Sequence, residues 1–204
     1  MKNFHRRESV FFAVLSRMKL IARWGLMRNT RPENLAEHSL EVAHLSYALA
    51  LLRVRRFGGP ADPTRAALLG LYHDVPEIFT GDLPTPVKYF NPEIVHAYKD
   101  VERSAARRML GLLPEDLRGD YEPLLIPRPE DGEMLRLVKA ADKLSALIKC
   151  IEEEKAGNSE FKKAAAAQEQ ALREMGLPEV DCFIEEFLPG YRLSLDELDG
   201  GAEK

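Results

Sequence analysis

The chain has 204 residues, 45% hydrophobic and 30% charged, which supports one folded domain with a sizeable core and excludes a disordered chain. Its formal net charge of −4 lacks the basic footprint of a nucleic-acid-binding surface, although a few local cations suffice to hold a single nucleotide. No stretch nears the roughly 18 apolar residues of a membrane span. After a polar start with Lys2, Arg6 and Arg7, the apolar run Val10 to Leu15 is too short for a secretory segment and soon meets Arg17 and Lys19. The expectation is a cytoplasmic protein with neither a nucleic-acid nor a membrane partner. Cys150 and Cys182, the only cysteines, have no metal-type spacing and read as buried free thiols.

From the N-terminus, helical periodicity predicts an amphipathic stretch over about 8–22, ending near Trp24-Gly25. A second helix is expected to open at Pro32 and run to about Arg55, before Gly58-Gly59-Pro60. In it His38 shares an apolar stripe with Val42, Leu45, Leu49 and Leu52. Asp62 and Pro63 read as an N-cap and first helical residue, starting a helix that carries Ala66, Leu69, Tyr72 and His73. Pro76 is expected to end or kink it, because the ring removes a donor and clashes one turn back. Thr80 to Lys88 is too rich in Pro and Gly to be regular and reads as a loop. Further helices are expected over about 92–112, 130–156, 159–175 and 178–188, and the tail after Leu198 as frayed. No alternating strand and no internal repeat is evident. The fold class is therefore all-α.

Polar residues interrupt these apolar stripes at His38, at His73-Asp74 and at Asp142, which shares a stripe with Leu135, Val138 and Ser145. A buried carboxylate asks for a cation or strong donors. Two imidazoles and two carboxylates on three helices could converge on one divalent metal, and such a nitrogen and oxygen set suits Mn, Co, Zn, Fe or Ni better than Ca. Each residue also has an ordinary reading. A lone histidine on an apolar face is usually a satisfied core residue, Asp142 could pair with Lys139 or Lys143, and Trp24, the sole tryptophan, could simply fill the core. His5, His44 and His96 read as surface or local packing residues, and Glu152 to Lys155 as a solvated helix end.

The order His38, His73-Asp74, Asp142 resembles the signature of the HD-domain metal-dependent phosphohydrolases. Leu15-Ser-Arg-Met-Lys-Leu-Ile21, Arg23-Trp24, Leu26-Met-Arg-Asn29, Glu33-Asn34, Glu37-His-Ser39, Glu77, Thr80-Gly-Asp-Leu-Pro-Thr-Pro-Val-Lys-Tyr-Phe90 and Leu193-Ser-Leu-Asp-Glu-Leu198 resemble, more narrowly, the bacterial HD-domain 5′-deoxynucleotidases. The resemblance spans about residues 9–198 and treats 1–204 as a single HD domain. It implies an all-helical homodimer that binds one divalent transition metal, with Co²⁺ or Mn²⁺ expected, and hydrolyses deoxyribonucleoside 5′-monophosphates.

By the same resemblance His38, His73, Asp74 and Asp142 are the metal ligands, with His38 and Asp142 also bordering the substrate. Arg23 orients the phosphate, Trp24 lies against the sugar where it excludes a 2′-hydroxyl, and Glu77 is the catalytic acid. Asp82, Thr85, Pro86, Val87 and Lys88 form the substrate-contacting loop. Val75-Pro76 departs from the family's pattern and bears on how Glu77 is presented. No set of base-edge donors accompanies these motifs, so broad acceptance of bases is expected. The rival readings are an HD-type hydrolase of triphosphates, cyclic nucleotides or guanosine polyphosphates, and a non-catalytic nucleotide-binding helical protein.

Overall fold

The computed structural model describes residues 8–88 and 90–198, the side chain of Thr85 excepted. The frayed tail after Leu198 and the N-terminal segment with His5 fall outside these residues. Helix α1 (Phe11–Leu15) is short, and the chain then tightens into a 3₁₀ turn over Ser16–Leu20 in place of one continuous amphipathic helix. The Ser16 hydroxyl donates back to the Ala13 carbonyl at 2.9 Å, a bond that competes with regular helical pairing. An isolated antiparallel bridge, Ala22 with Asn34, follows. Arg23 N–H donates to the Glu33 carbonyl at 3.0 Å and Leu35 N–H to that of Ile21 at 2.9 Å, closing the base of the loop between them.

Helix α2 (Leu35–Arg56) begins at Leu35 rather than Pro32, because Asn34 builds a capping box. Its side chain accepts from the N–H groups of Ala36 and Glu37 at 3.0 and 3.1 Å, and Glu37 accepts from Asn34 N–H at 3.2 Å. Helix α3 (Pro63–Tyr72) starts as expected, with Asp62 accepting from Arg65 N–H at 3.0 Å. It packs so closely on α2 that a Cβ at Gly70 would sit 2.8 Å from Ser46 Oγ and 3.1 Å from Ala43 Cα. Pro76 then occupies the N-cap of α4 (Glu77–Thr80), and one helical turn, α5 (Thr85–Lys88), lies in the segment expected to be irregular. Lys88 N–H reaches the Pro84 carbonyl at 3.1 Å to close that turn.

Beyond it run α6 (Pro92–Gly111), α7 (Glu115–Leu125), α8 (Gly132–Lys155), α9 (Lys162–Glu174), α10 (Pro178–Glu186) and the short α11 (Leu195–Leu198). Turns of 3₁₀ helix at Pro129–Asp131, Ser159–Phe161 and Leu188–Arg192 connect them. Helix α7 was not anticipated: Pro114, Gly119 and Pro123 read as breakers. Pro114 is instead its N-cap, and Pro123 sits near its end, where its carbonyl accepts from Arg65 Nη2 at 2.7 Å.

The main core joins Val42 and Leu49 of α2, Leu69 of α3, Leu144 and Ile151 of α8, and Val180 of α10. A second core gathers Phe11, Met18, Leu35, Val75, Met109 and Leu125. Arg53 fastens α10 to α2 through Glu179, which is 1% exposed, at 2.5 and 2.9 Å. The result is an all-α single domain without a strand among the described residues, and none of their helices is long and apolar enough to cross a membrane. Cys150 is buried as expected. Cys182 is only half-buried, because it lies midway along α10 on the side that meets the exposed Arg56.

Candidate active site

His38 stands where α2 passes from the second core to the main one, between Leu35 and Val42. Its side chain is fully buried, and its Nε2 lies 3.2 Å from Asp142 Oδ1 and 3.5 Å from Asp74 Oδ2. His73 Nε2 lies 3.0 Å from the same Asp74 oxygen. Ligand atoms of His38, His73 and Asp74 all fall within 4.8 Å of one another, with Asp142, on α8, against His38. Neither Lys139 nor Lys143 pairs with Asp142 among the described contacts.

The hydrogen bonds behind the rings decide which nitrogen is available. His73 Nδ1 faces the Gly70 carbonyl at 2.7 Å, and a carbonyl only accepts, so the proton is on Nδ1. His38 Nδ1 faces Ser145 Oγ at 3.0 Å, while that hydroxyl donates to Glu41 Oε2 at 2.6 Å. With its proton committed to Glu41, Ser145 accepts from His38 Nδ1–H. Both rings therefore turn Nε2 toward the carboxylates, as the nitrogen left to bind a metal once it carries no proton, and both Nε2 atoms are buried without a hydrogen-bond partner. Two orphaned imidazole nitrogens facing two carboxylates fit a divalent transition metal in donor type and in charge.

Electrostatics agree in sign. Burial alone would raise the Asp74 carboxyl, but His73 and His38 beside it hold it well below its ordinary value. Asp142 is likewise lowered, with His38 outweighing burial. In His73 burial acts to lower the pKa, yet the Asp74 charge overrides it and lifts the ring to about 9, so metal binding would release that proton.

Glu77, at the start of α4, is 5% exposed. Burial first, then the charges of Asp74 and Asp82, push its carboxyl up to about 8, against the opposing pull of Lys88. Pro76 is the N-cap of that helix, with a φ of −57° that suits a helix start. Lys88 Nζ lies 3.5 Å from Glu77 and 3.1 Å from Glu102 of α6, and 4.8 Å from the Tyr98 ring centre. Asp82 is raised by burial and drawn down by Arg23, with Asp74, His38 and Lys88 also in range of its charge. Pro86 and Val87 are exposed on the same loop; the Thr85 side chain and Tyr89 lie outside the described residues.

Arg23 and Trp24 converge on Glu33: Arg23 Nη1 donates to Oε2 at 3.0 Å and Trp24 Nε1 to the same oxygen at 2.9 Å. Trp24 is half-buried with φ 57°, a left-handed conformation that a bulky residue adopts only under constraint, and its ring lies 5.3 Å from that of Phe161. The segment Glu152 to Lys155 is not simply solvated. Glu153 is 1% exposed, and its carboxylate accepts from Thr30 N–H at 2.8 Å, Thr30 Oγ1 at 2.7 Å, Arg31 N–H at 3.2 Å and the Lys149 ammonium.

The family model described as 5′-deoxynucleotidase YfbR-like matches residues 10–191. This chain belongs to that family. A 5′-deoxynucleotidase of Vibrio cholerae is 50% identical over 192 residues, covering 94% of this chain and 99% of that protein. Its counterpart in Erwinia tasmaniensis is 50% identical over 190 residues, covering 93% and 96%. Among solved structures, an HD-domain phosphohydrolase of Listeria innocua superposes with a TM-score of 0.70 at 25% identity, covering 93% of this chain and 91% of that one. The cyanophage S-2L HD phosphohydrolase DatZ, solved with dA and one catalytic Zn²⁺ ion, shares the fold at a TM-score of 0.61 and 22% identity, covering 87% and 96%.

Within this YfbR-like chain the structure brings together His38, His73, Asp74 and Asp142, with Glu77 and Asp82 in electrostatic range and Arg23 in range of Asp82. Sequence reasoning assigned no role to Glu41, Ser145, Glu102, Glu153 or Lys149. For the first two a signal existed: Glu41 is one helical turn from His38, and Ser145 one turn from Asp142 on the stripe already noted.

Proposed function

We propose that this chain is a metal-dependent 5′-deoxynucleotidase that hydrolyses deoxyribonucleoside 5′-monophosphates to deoxyribonucleosides and phosphate. The observation that carries the reading is the pair of orphaned, tautomer-fixed imidazole nitrogens facing Asp74 and Asp142, with the buried acid Glu77 close by. His38, His73, Asp74 and Asp142 would hold the metal. Bound there, a divalent transition metal supplies Lewis acidity, neutralising phosphate charge and lowering the pKa of water.

Arg23 gives one guanidinium nitrogen to Glu33 and keeps further donors of its planar fork for a phosphate oxygen. Trp24, its indole N–H tied to the same carboxylate, stands against the sugar as a wall that a 2′-hydroxyl would overlap. Asp82 and the loop Thr85, Pro86, Val87 and Lys88 border the substrate, and Lys88 offsets the negative charge around Glu77. As water attacks phosphorus and the bond to the 5′-oxygen breaks, the Glu77 carboxyl gives its proton to that oxygen. A carboxyl raised to about 8 still holds the proton at neutral pH, which suits a general acid for a poor alkoxide leaving group. Co²⁺ or Mn²⁺ as the metal and a homodimer as the assembly rest on the family resemblance, and the cytoplasm as compartment on composition.

Phosphate release from paired deoxy- and ribonucleoside 5′-monophosphates, with Co²⁺ or Mn²⁺ added, tests the reading. Turnover of several deoxy substrates with ribo counterparts slower is expected. Release of pyrophosphate or triphosphate from triphosphates, with monophosphates inert, would overturn it.

A further inference from the structure

Trp24 is held in a conformation it would not choose, so something other than its own backbone must hold it. The Ala22–Asn34 bridge closes only the base of its loop. The far part of the loop is secured from the opposite end of the sequence. Besides Thr30 and Arg31 on Glu153, the Lys149 ammonium donates to the Arg31 carbonyl at 2.5 Å. Asn158 Nδ2 bridges the Arg28 carbonyl at 2.6 Å and Glu153 at 2.8 Å, and Arg28 N–H reaches Glu160 at 3.3 Å. Lys149 also lies 5.7 Å from the ring centre of Phe161, the fully buried ring on which Trp24 rests. Asn29 completes the turn, donating to the Trp24 carbonyl at 3.3 Å and that of Met27 at 3.1 Å.

We infer that Glu153 is a specificity-determining positioning residue: through the 28–31 segment and the Lys149–Phe161 support it fixes Trp24 in the setting that separates deoxyribose from ribose. The inference rests on the proposed role of Trp24 as the sugar wall. Glu153 touches neither the metal-binding residues nor Glu77 among the described contacts, and its side-chain hydrogen bonds lead into the Trp24 loop, to Asn158 in the turn after α8 and to Lys149 one turn back on α8. Loosening them lets the Trp24 turn relax from its positive φ. The wall then recedes enough to admit a hydroxyl, while the residues that hold the metal and Glu77 stay in place.

The chain has one tryptophan, so its fluorescence reports on Trp24 alone. The test compares wild type, Glu153→Gln, Thr30→Val and Trp24→Ala for kcat and KM on paired deoxy- and ribonucleoside monophosphates, and the wild type and the two variants that keep the indole for acrylamide quenching. Glu153→Gln is expected to lower the deoxy-to-ribo ratio of kcat/KM by about tenfold, chiefly through better use of the ribo substrate. Its Trp24 emission should quench more readily, with bound metal per chain unchanged. Thr30→Val removes only one hydroxyl donor to Glu153, should move both readouts in the same direction by less, and decides the matter if Glu153→Gln does not fold. Wild-type selectivity and quenching in folded Glu153→Gln, or in Thr30→Val if that variant is the one that folds, would overturn the inference while Trp24→Ala still collapses the ratio. A wild type indifferent to the sugar, or Trp24→Ala without effect, would overturn the Trp24 assignment and this inference with it.

Discussion

Replacing Ser145 by alanine should weaken metal binding without touching a metal-binding side chain. Ser145 is fully buried and stands between His38 Nδ1, at 3.0 Å, and Glu41 Oε2, at 2.6 Å. Without the hydroxyl, the tautomer with its proton on Nδ1 leaves a buried N–H unpaired, a loss of about 1–3 kcal/mol. The alternative tautomer places the proton on Nε2, where Asp142 at 3.2 Å and Asp74 at 3.5 Å accept it and the lone pair is no longer offered to the metal. Since about 1.4 kcal/mol is tenfold in an equilibrium constant, the dissociation constant should rise about 10- to 100-fold. Competition for Zn²⁺ against a chelator of known affinity, on apo protein shown to be folded, measures this. Glu41→Gln should shift the affinity in the same direction, and the two changes should be strongly non-additive. A folded Ser145→Ala protein with wild-type affinity would refute the tautomer argument.

Glu77→Gln should retain bound metal and lose about 10²–10⁴-fold in kcat, measured by phosphate release. Because the acid must be protonated and burial has lifted its carboxyl to about 8, wild-type kcat should fall as pH rises through that value, and this limb should vanish in the variant. By the same sign, Glu77 favours the folded state below its ordinary pKa of 4.5 and loses that contribution as pH rises through about 8. Arg53→Ala strands the buried Glu179 carboxylate and should cost about 3–5 kcal/mol, read by urea denaturation. Gly70→Ala places a Cβ 3.1 Å from Ala43 Cα and the Val42 carbonyl, backbone atoms that cannot yield, so a loss of about 1–3 kcal/mol is expected. Since Gly70 O orients His73, its metal affinity should fall as well.

The long helices were legible because they obey local periodicity, and the candidate metal cluster because its polar residues interrupt apolar stripes in an order that resembles the HD-domain signature. His38, Asp142 and Ser145 are polar positions on apolar stripes, and that incongruity is visible without a structure. What stayed hidden was set by distant partners or by side-chain competition. Glu153 sits in a charged helix end that reads as solvated, and its burial depends on Thr30 and Arg31, 123 and 122 residues away. The helix Glu115–Leu125 hid behind prolines that its N-cap and last turn tolerate. The first helix broke early where the Ser16 hydroxyl took the Ala13 carbonyl, and α2 began late because Asn34 and Glu37 cap each other. Arg23-Trp24 and Glu33-Asn34 could be quoted as separate motifs, but not that one oxygen of Glu33 serves both Arg23 and Trp24.

Elemental analysis of the apo chain reconstituted with Co²⁺, Mn²⁺ or Zn²⁺ tests the central claim most directly, with Asp142→Ala alongside. The account predicts about one tightly held divalent ion per wild-type chain and loss of that ion in the variant. A folded wild-type chain that retains none of the three metals would contradict it.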